Sequence, residues 1–192
     1  MSKGDNMEIF FTSDLHFGHD NIIRFDHRPF DSVEEMDQAI IERWNKKVTN
    51  NNDLVYILGD VSWYDDVKTA SIVRQLRGKK VLILGNHDKR IKHQSSILFN
   101  EIVPYKEIFL NNGAKVVMCH YPIPFYNGHY HKGIMLYGHV HVTPEEKMTQ
   151  DYAKELRNKG IPCEMHNVGC MLWNYEPVTL QEIEGKKRKI EG

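Results

Sequence analysis

The sequence predicts an α/β protein with mixed rather than purely parallel sheets. Three observations carry this. Short apolar runs alternate with amphipathic helical stretches in the first half of the chain. Later runs pair across a turn signal, and no apolar stretch approaches the roughly 20 residues of a membrane span. The first run, Ile9-Phe10-Phe11-Thr12, reads as a buried strand. After Asp31-Ser32, apolar residues at Val33, Met36, Ile40, Ile41, Trp44 and Val48 fall on one helical face, with Ser32 and Glu35 placed as a capping box. Leu54 to Leu58 is the next strand, Val67 to Leu76 the next helix, ended near Gly78, and Val81 to Leu84 the third strand. Glu107 to Leu110 and Ala114 to Cys119 flank Asn111-Asn112-Gly113, a hairpin signal. Gly133 to Tyr137 is a further strand. Pro144 to Asn158 is a helix, with Pro144 suited to its first turn and Gly160 to its stop. Glu164 to Val168 and Val178 to Ile183 are expected to add strands late in the chain.

The 192 residues suit a single domain spanning 1–192. With 41% hydrophobic and 27% charged residues the chain has a globular rather than a disordered composition. A formal net charge of −1 supplies no global field for extended nucleic acid or an anionic membrane. The basic run Lys186-Lys187-Arg188-Lys189 reads as a solvated tail. Cys119, Cys163 and Cys170 form no C-x-x-C pair and read as small buried hydrophobes. With no signal-peptide core at the N-terminus, they suggest a cytoplasmic location. The 11 histidines are the informative count, because they cluster.

The chemistry follows the strands. The first ends in Ser13-Asp14-Leu15-His16, the second in Gly59-Asp60, and the third in Gly85-Asn86-His87-Asp88. The second hairpin strand ends in His120, and the next run in Gly138-His139-Val140-His141. Open α/β sheets bind ligands beyond the carboxyl ends of their strands, so these residues are expected in one region. Imidazole, carboxylate and amide oxygen suit borderline divalent ions, namely Mn, Fe, Zn, Ni or Co. Seven candidates, Asp14, His16, Asp60, Asn86, His120, His139 and His141, exceed what one catalytic ion takes and fit two ions sharing a carboxylate. Asp-x-His and His-x-His can converge only where the backbone turns, which the flanking Gly59 and Gly138 would permit.

In this order, the five motifs resemble the calcineurin-like metallophosphoesterase superfamily, and within it the small stand-alone bacterial and phage phosphoesterases. The resemblance spans residues 14–141 with no motif missing. It implies two mixed sheets packed face to face with helices outside, a four-layer fold. It implies that Asp14, His16 and His141 hold one ion, that Asn86, His120 and His139 hold the other, and that Asp60 bridges them. His87 would face the phosphoryl group and protonate the leaving oxygen. Paired ions would clamp an in-line displacement and lower the pKa of a bridging water, so that hydroxide attacks. One departure is visible. The phosphoprotein phosphatases carry Gly-Asp-x-x-Asp-Arg-Gly at the second motif, where this chain reads Gly59-Asp60-Val61-Ser62-Trp63-Tyr64-Asp65. The missing arginine argues against protein-phosphatase activity, and the missing aspartate leaves His87 without an evident orienting carboxylate.

Around the motifs, Arg24 is a candidate phosphate clamp. Trp63, after the second motif, is a candidate wall of the substrate pocket, and so are Tyr121, Phe125 and His129, in a stretch after His120 too polar for a core strand and stiffened by Pro122 and Pro124. Their aromatic faces suit a nucleobase or an aryl leaving group. Asp88 is expected to support its loop, and Trp44 and Trp173 to be core. The expected activity is a metal-dependent phosphoric-ester hydrolase favouring small, nucleotide-like phosphodiesters. A monoesterase and a nuclease for short oligonucleotides are the alternatives. A non-enzymatic scaffold would show a degraded ligand set, and here every motif residue is present. Homo-oligomerisation is left open.

Overall fold

The computed structural model describes residues 7–191, with side chains described through 185, so the basic run at 186–189 lies outside the described side chains. The first sheet holds β1 (Ile9–Thr12), β2 (Leu54–Ile57), β3 (Lys79–Ile83) and β4 (Glu101–Val103), in that order and all parallel. The second holds β5 (Tyr105–Phe109), β6 (Lys115–Cys119), β7 (Ile134–Tyr137) and β8 (Met165–Asn167). There β5 and β6 form the expected antiparallel hairpin, and β6, β7 and β8 run parallel. The helices are α1 (Asp20–Phe25), α2 (Val33–Lys47), α3 (Asp66–Val73), α4 (His93–Ser96), α5 (Pro144–Asn158) and α6 (Leu180–Glu191).

Both faces of β1, β2, β3, β6 and β7 are covered, so these strands read as mostly apolar runs rather than alternating ones. Alternation reappears in where successive side chains go. Phe10, Val55, Ile57 and Leu82 pack under Met36, Ile40 and Trp44 of α2 and Ile72 of α3. Their neighbours Phe11, Tyr56, Leu58, Val81 and Ile83 turn inward to meet Val116, Met118, Ile134 and Leu136 of the second sheet. On its far side, Val117, Cys119, Met135 and Tyr137 pack beneath Ala153 and Leu156 of α5. Helix, sheet, sheet and helix therefore form four layers. Trp44 is fully buried, as expected; Trp173 is half-buried against the central layer. All three cysteines are buried and free.

The two sheets are tied at one end. Ser13, just past β1, bridges Gly169, just past β8: the Ser13 amide donates to Val168 and the Cys170 amide to Ser13, at 3.0 and 2.9 Å. Parallel strands carry their carboxyl ends to the same edge, so the motif loops after β1, β2, β3, β6 and β7 collect there.

One expected strand is corrected. Val178 to Ile183 does not form one: Val178 makes a single antiparallel bridge to Phe11, and α6 begins at Leu180. The cause is a reciprocal cap. The Glu182 carboxylate accepts from the Thr179 amide at 2.8 Å, and the Glu182 amide donates to the Thr179 hydroxyl at 3.3 Å. At the start of α2 the Ser32 hydroxyl accepts from the Glu35 amide, as expected, but the Glu35 carboxylate reaches Asp31 rather than Ser32.

Candidate metal centre

The loops at the shared edge have an unusual backbone. Asp14, His16, Asp60, His139 and His141 all have positive φ, between 47° and 70°. Non-glycine residues enter this left-handed region at a cost of order 1–3 kcal/mol each, and do so where the surroundings over-determine them. This is how Asp-x-His and His-x-His bring alternate side chains to one side. The expectation that flanking glycines make these turns is corrected in part. Gly59 has φ +88°, but the turn after β7 is made by His139 and His141 themselves. Gly138 instead gives space: a Cβ there would lie 2.4 Å from Ser13 Oγ and 2.5 Å from Asp14 Oδ2.

The hydrogen bonds that hold these loops run between them. The Asp14 amide donates to Gly59, and the His16 amide to Asp60. Asp88 is buried, and its carboxylate accepts from the amides of Asp60, Val61 and Gly85 at 2.8–2.9 Å, supporting the loop as expected. The His139 amide donates to both Asp14 oxygens, at 3.1 and 3.2 Å.

Two groups of side chains result. Asp14, His16 and His141 present ligand atoms within 4.8 Å of one another, and so do Asp14, Asp60 and His120. His16 Nε2 lies 3.3 Å from His141 Nε2, and Asp60 Oδ2 lies 3.6 Å from both His16 Nε2 and His120 Nε2. Donor atoms about 2.1 Å from one ion are separated by roughly 3–3.6 Å, so these spacings suit shared coordination. Asn86 joins the second group through its Oδ1, 3.0 Å from His120 Nε2. The His139 ring stands beside it, 5.0 Å from the His120 ring.

The electrostatics favour binding a cation. Burial holds His16 well below the usual histidine pKa, helped by the Arg28 charge, so its ring nitrogens are free of a second proton at neutral pH. Burial, then the nearby His120, lowers His139 as well. Burial raises the pKa of Asp60 despite the attraction of His120. Placing two carboxylates out of water in one cluster is unfavourable without positive charge beside them. The residues thus fit a divalent metal by donor type, protonation and spacing.

Behind these residues lies a set that the sequence motifs did not disclose. His141 Nδ1 is 2.9 Å from both Asp26 oxygens. Burial works against charge on His141, but this hydrogen bond raises its pKa. The buried Arg28 fastens Asp26 and also donates to the carbonyls of Asp14 and Leu15 at 2.8 and 3.0 Å. Asn167 donates to the carbonyl of His141 and to Glu146, which accepts from Tyr137. His120 Nδ1 meets the Leu58 carbonyl at 2.7 Å.

His87 sits at the rim. Its amide donates to Asp60 Oδ1 at 2.9 Å, and its ring lies 5.9 Å from that of His16. Instead of a carboxylate, Trp63 stands beside it, ring centres 4.3 Å apart, with His19 stacked on the indole at 4.0 Å. On the other flank Tyr121 lies 4.6 Å from His139. Phe125 and His129 are ring neighbours of each other, with Phe125 also against Tyr152. Arg24 is exposed, its guanidinium over Phe25.

Comparison with known proteins agrees with this geometry. The family model described as calcineurin-like phosphoesterase matches residues 7–173. An uncharacterized protein of Methanocaldococcus jannaschii, MJ1445, is 34% identical over 181 residues, covering 92% of this chain and 89% of its own. The Gene 66 protein of Mycobacterium phage L5 is 38% identical over 81 residues, covering 41% of this chain and 38% of its own. Among solved structures, AQ665 of Aquifex aeolicus, a protein of unknown function, matches with a TM-score of 0.70 and 28% identity, over 94% of this chain and 99% of that one. The match across residues 7–173, which takes in every loop of the metal-compatible cluster, shows that the chain belongs to the calcineurin-like phosphoesterase family, a superfamily of metal-dependent hydrolases.

Proposed function

We propose that the protein is a dinuclear metal-dependent phosphodiesterase. The observation that carries this is the Asp60 carboxylate set 3.6 Å from both His16 Nε2 and His120 Nε2, within two adjoining carboxylate–imidazole groups. In this reading Asp14, His16 and His141 hold one divalent ion, and Asn86, His120 and His139 the other. Asp60, whose Oδ2 is equally far from His16 and His120, lies between. Bound there, the ions supply positive charge opposite the phosphoryl oxygens and an acidified water. The side chains do the rest. Asp26 holds His141 with Nε2 turned inward, and the backbone of Leu58 does the same for His120. His87, beside Asp60 and Trp63, donates a proton to the leaving oxygen.

The preference for diesters follows from the placement of cationic side chains. A monoester dianion needs extra positive charge at the phosphoryl group. The buried Arg28 does not provide it, because it is engaged with Asp26 and with the carbonyls of Asp14 and Leu15. The flanks are aromatic, Trp63 on one side and Tyr121 on the other, and the exposed Lys89 and Arg90 line the cavity on the His87 side rather than standing among the candidate ligands. The test is hydrolysis of bis-p-nitrophenyl phosphate against p-nitrophenyl phosphate after loading with Mn or Ni. A higher kcat/KM for the diester is expected. A marked monoester preference would reverse the ranking, and no hydrolysis of either would remove the activity.

A further inference from the structure

Next to the candidate centre, a cavity of about 410 Å³ opens between Trp63, Asn86, His87, Lys89 and Arg90. Its lining joins three kinds of chemistry. Asn86 and His87 belong to the centre described above. Trp63 gives an apolar wall, with its indole backed by His19 on one side. Lys89 and Arg90, in a 3-10 turn directly after His87, are both exposed cations. Arg90 is held in place, as its guanidinium lies 5.8 Å from the Trp63 ring centre and donates to the Trp63 carbonyl.

A diester carries a single charge at the scissile phosphoryl group, which the metal site offsets in the proposed reaction, so Lys89 and Arg90 are suited to a further charge. They lie on the His87 side, which in the proposed reaction is the side of the leaving oxygen. Resting on that reading, we propose that this cavity receives a leaving group carrying a second phosphate. The substrates are then nucleotide-like diesters with a terminal phosphate beyond the one that is cleaved. The apolar wall of Trp63 suits the sugar or base between the two phosphates, and Lys89 and Arg90 suit the terminal dianion. The recognition ends after one phosphate. The neighbouring cavity of about 470 Å³ shares Arg90 but is lined by Asp65 and Asp66 as well as Lys92, so a longer polyanion gains little there.

The experiment compares thymidylyl-thymidine with the same dinucleotide phosphorylated at its 5′ or its 3′ end, using Mn-loaded protein, with bis-p-nitrophenyl phosphate run in parallel. One of the two phosphorylated forms is expected to exceed the unphosphorylated one in kcat/KM by at least about tenfold, the scale of one charge-assisted contact. The variant Lys89→Gln/Arg90→Gln should bring that ratio close to one. Lys89→Gln alone, at an exposed position that does not support Trp63, should lower it by at least about threefold. A ratio near one in the unaltered protein, or a ratio that survives the double substitution, overturns the inference. If bis-p-nitrophenyl phosphate is still hydrolysed in that case, the phosphodiesterase reading stands without it. If no ester is hydrolysed, both fall.

Discussion

At the scale of single residues, the site divides into side chains that would touch an ion and side chains that keep those in place. His87 belongs to neither set, since its contacts are the Asp60 carboxylate through the backbone and the Trp63 ring through the imidazole. Removing the imidazole should therefore leave the metal site intact. His87→Ala is expected to lower kcat by about 10²- to 10⁴-fold, the usual range for a general acid, with metal content by elemental analysis unchanged. Turnover at the unaltered level would take the proton donation away from His87. Asp26 is the opposite case. It lies behind His141 at 2.9 Å from Nδ1 and is held by Arg28, so it fixes which nitrogen of His141 is turned to the centre. Carboxylates in this position typically contribute 10–100-fold to metal affinity. Asp26→Ala should weaken Mn binding by about that factor in a chelator competition, while Asp26→Asn, which can still meet Nδ1, should weaken it less. Equal affinity in all three proteins would mean that His141 needs no such support.

Elements differ in how plainly the sequence announced them, and the reasons are physical. The strands β1, β2, β3, β6 and β7 are short, largely buried and mostly apolar, so their runs stand out, and with them the five loops that follow. Helices α2 and α5 have long amphipathic faces, and α5 begins and ends where Pro144 and Asn158 were expected to bound it. The helix α1 was hidden because six residues span barely two turns and His19 supplies no side-chain cap. The edge strand β4 is three half-buried residues with no marked pattern. Helix α6 reads as a strand in the sequence because Val178-Thr179-Leu180 alternates like one, whereas the Thr179–Glu182 cap starts a helix there. Asp26 and Arg28 escaped for a different reason. Their roles depend on an approach to His141 across 115 residues of chain, which no local spacing records. A consequence at this scale concerns Lys80 of β3, which is buried and donates to the carbonyls of Leu76 and Gly78, both at 2.7 Å, beyond the end of α3. Burial pushes its pKa from 10.5 down to about 8. Between those two values the unfolded chain holds more protons at this position than the folded one, so stability rises with pH there. Below pH 8 both states are protonated and the cost of burying the charge is present in full. Relative to Lys80→Met, urea unfolding should show the unaltered protein gaining about 1–2 kcal/mol between pH 7.5 and 10, after allowing for partial solvation. Parallel stability curves for the two proteins would show that the ammonium is solvated as well in the fold as out of it.

For the molecule as a whole, the candidate centre is also a joint between the two sheets. Asp14 and His16 follow β1, Asp60 follows β2, and His120 and His141 follow strands of the second sheet, so each metal-compatible group draws on both. The same edge carries the backbone bridge from Ser13 to Gly169 and five non-glycine residues in the left-handed region. Burial works most strongly against a charged Asp60; His120 and the His87 amide oppose this, and the Asp14 and Asp88 carboxylates add to it. A cation that binds the folded chain and not the unfolded one relieves this and shifts the unfolding equilibrium by mass action, by about 2.7 kcal/mol at a hundred times its Kd. For a chain of this size each kcal/mol raises Tm by about 2–4 °C, so Mn added to chelator-treated protein should raise Tm by about 5–10 °C in a thermal unfolding scan. Because the ligands come from both sheets, the transition should move as one rather than split into a stabilised and an unstabilised part. Asp60→Asn keeps the side chain's shape, but its neutral amide is a much weaker ligand between His16 and His120. It should lose most of the Mn-dependent rise while unfolding no lower than the unaltered protein in chelator, because the repulsion with Asp14 is gone. A rise of equal size in both proteins would mean that Mn stabilises the fold from elsewhere, and that the carboxylate between the two histidines does not bridge a metal pair.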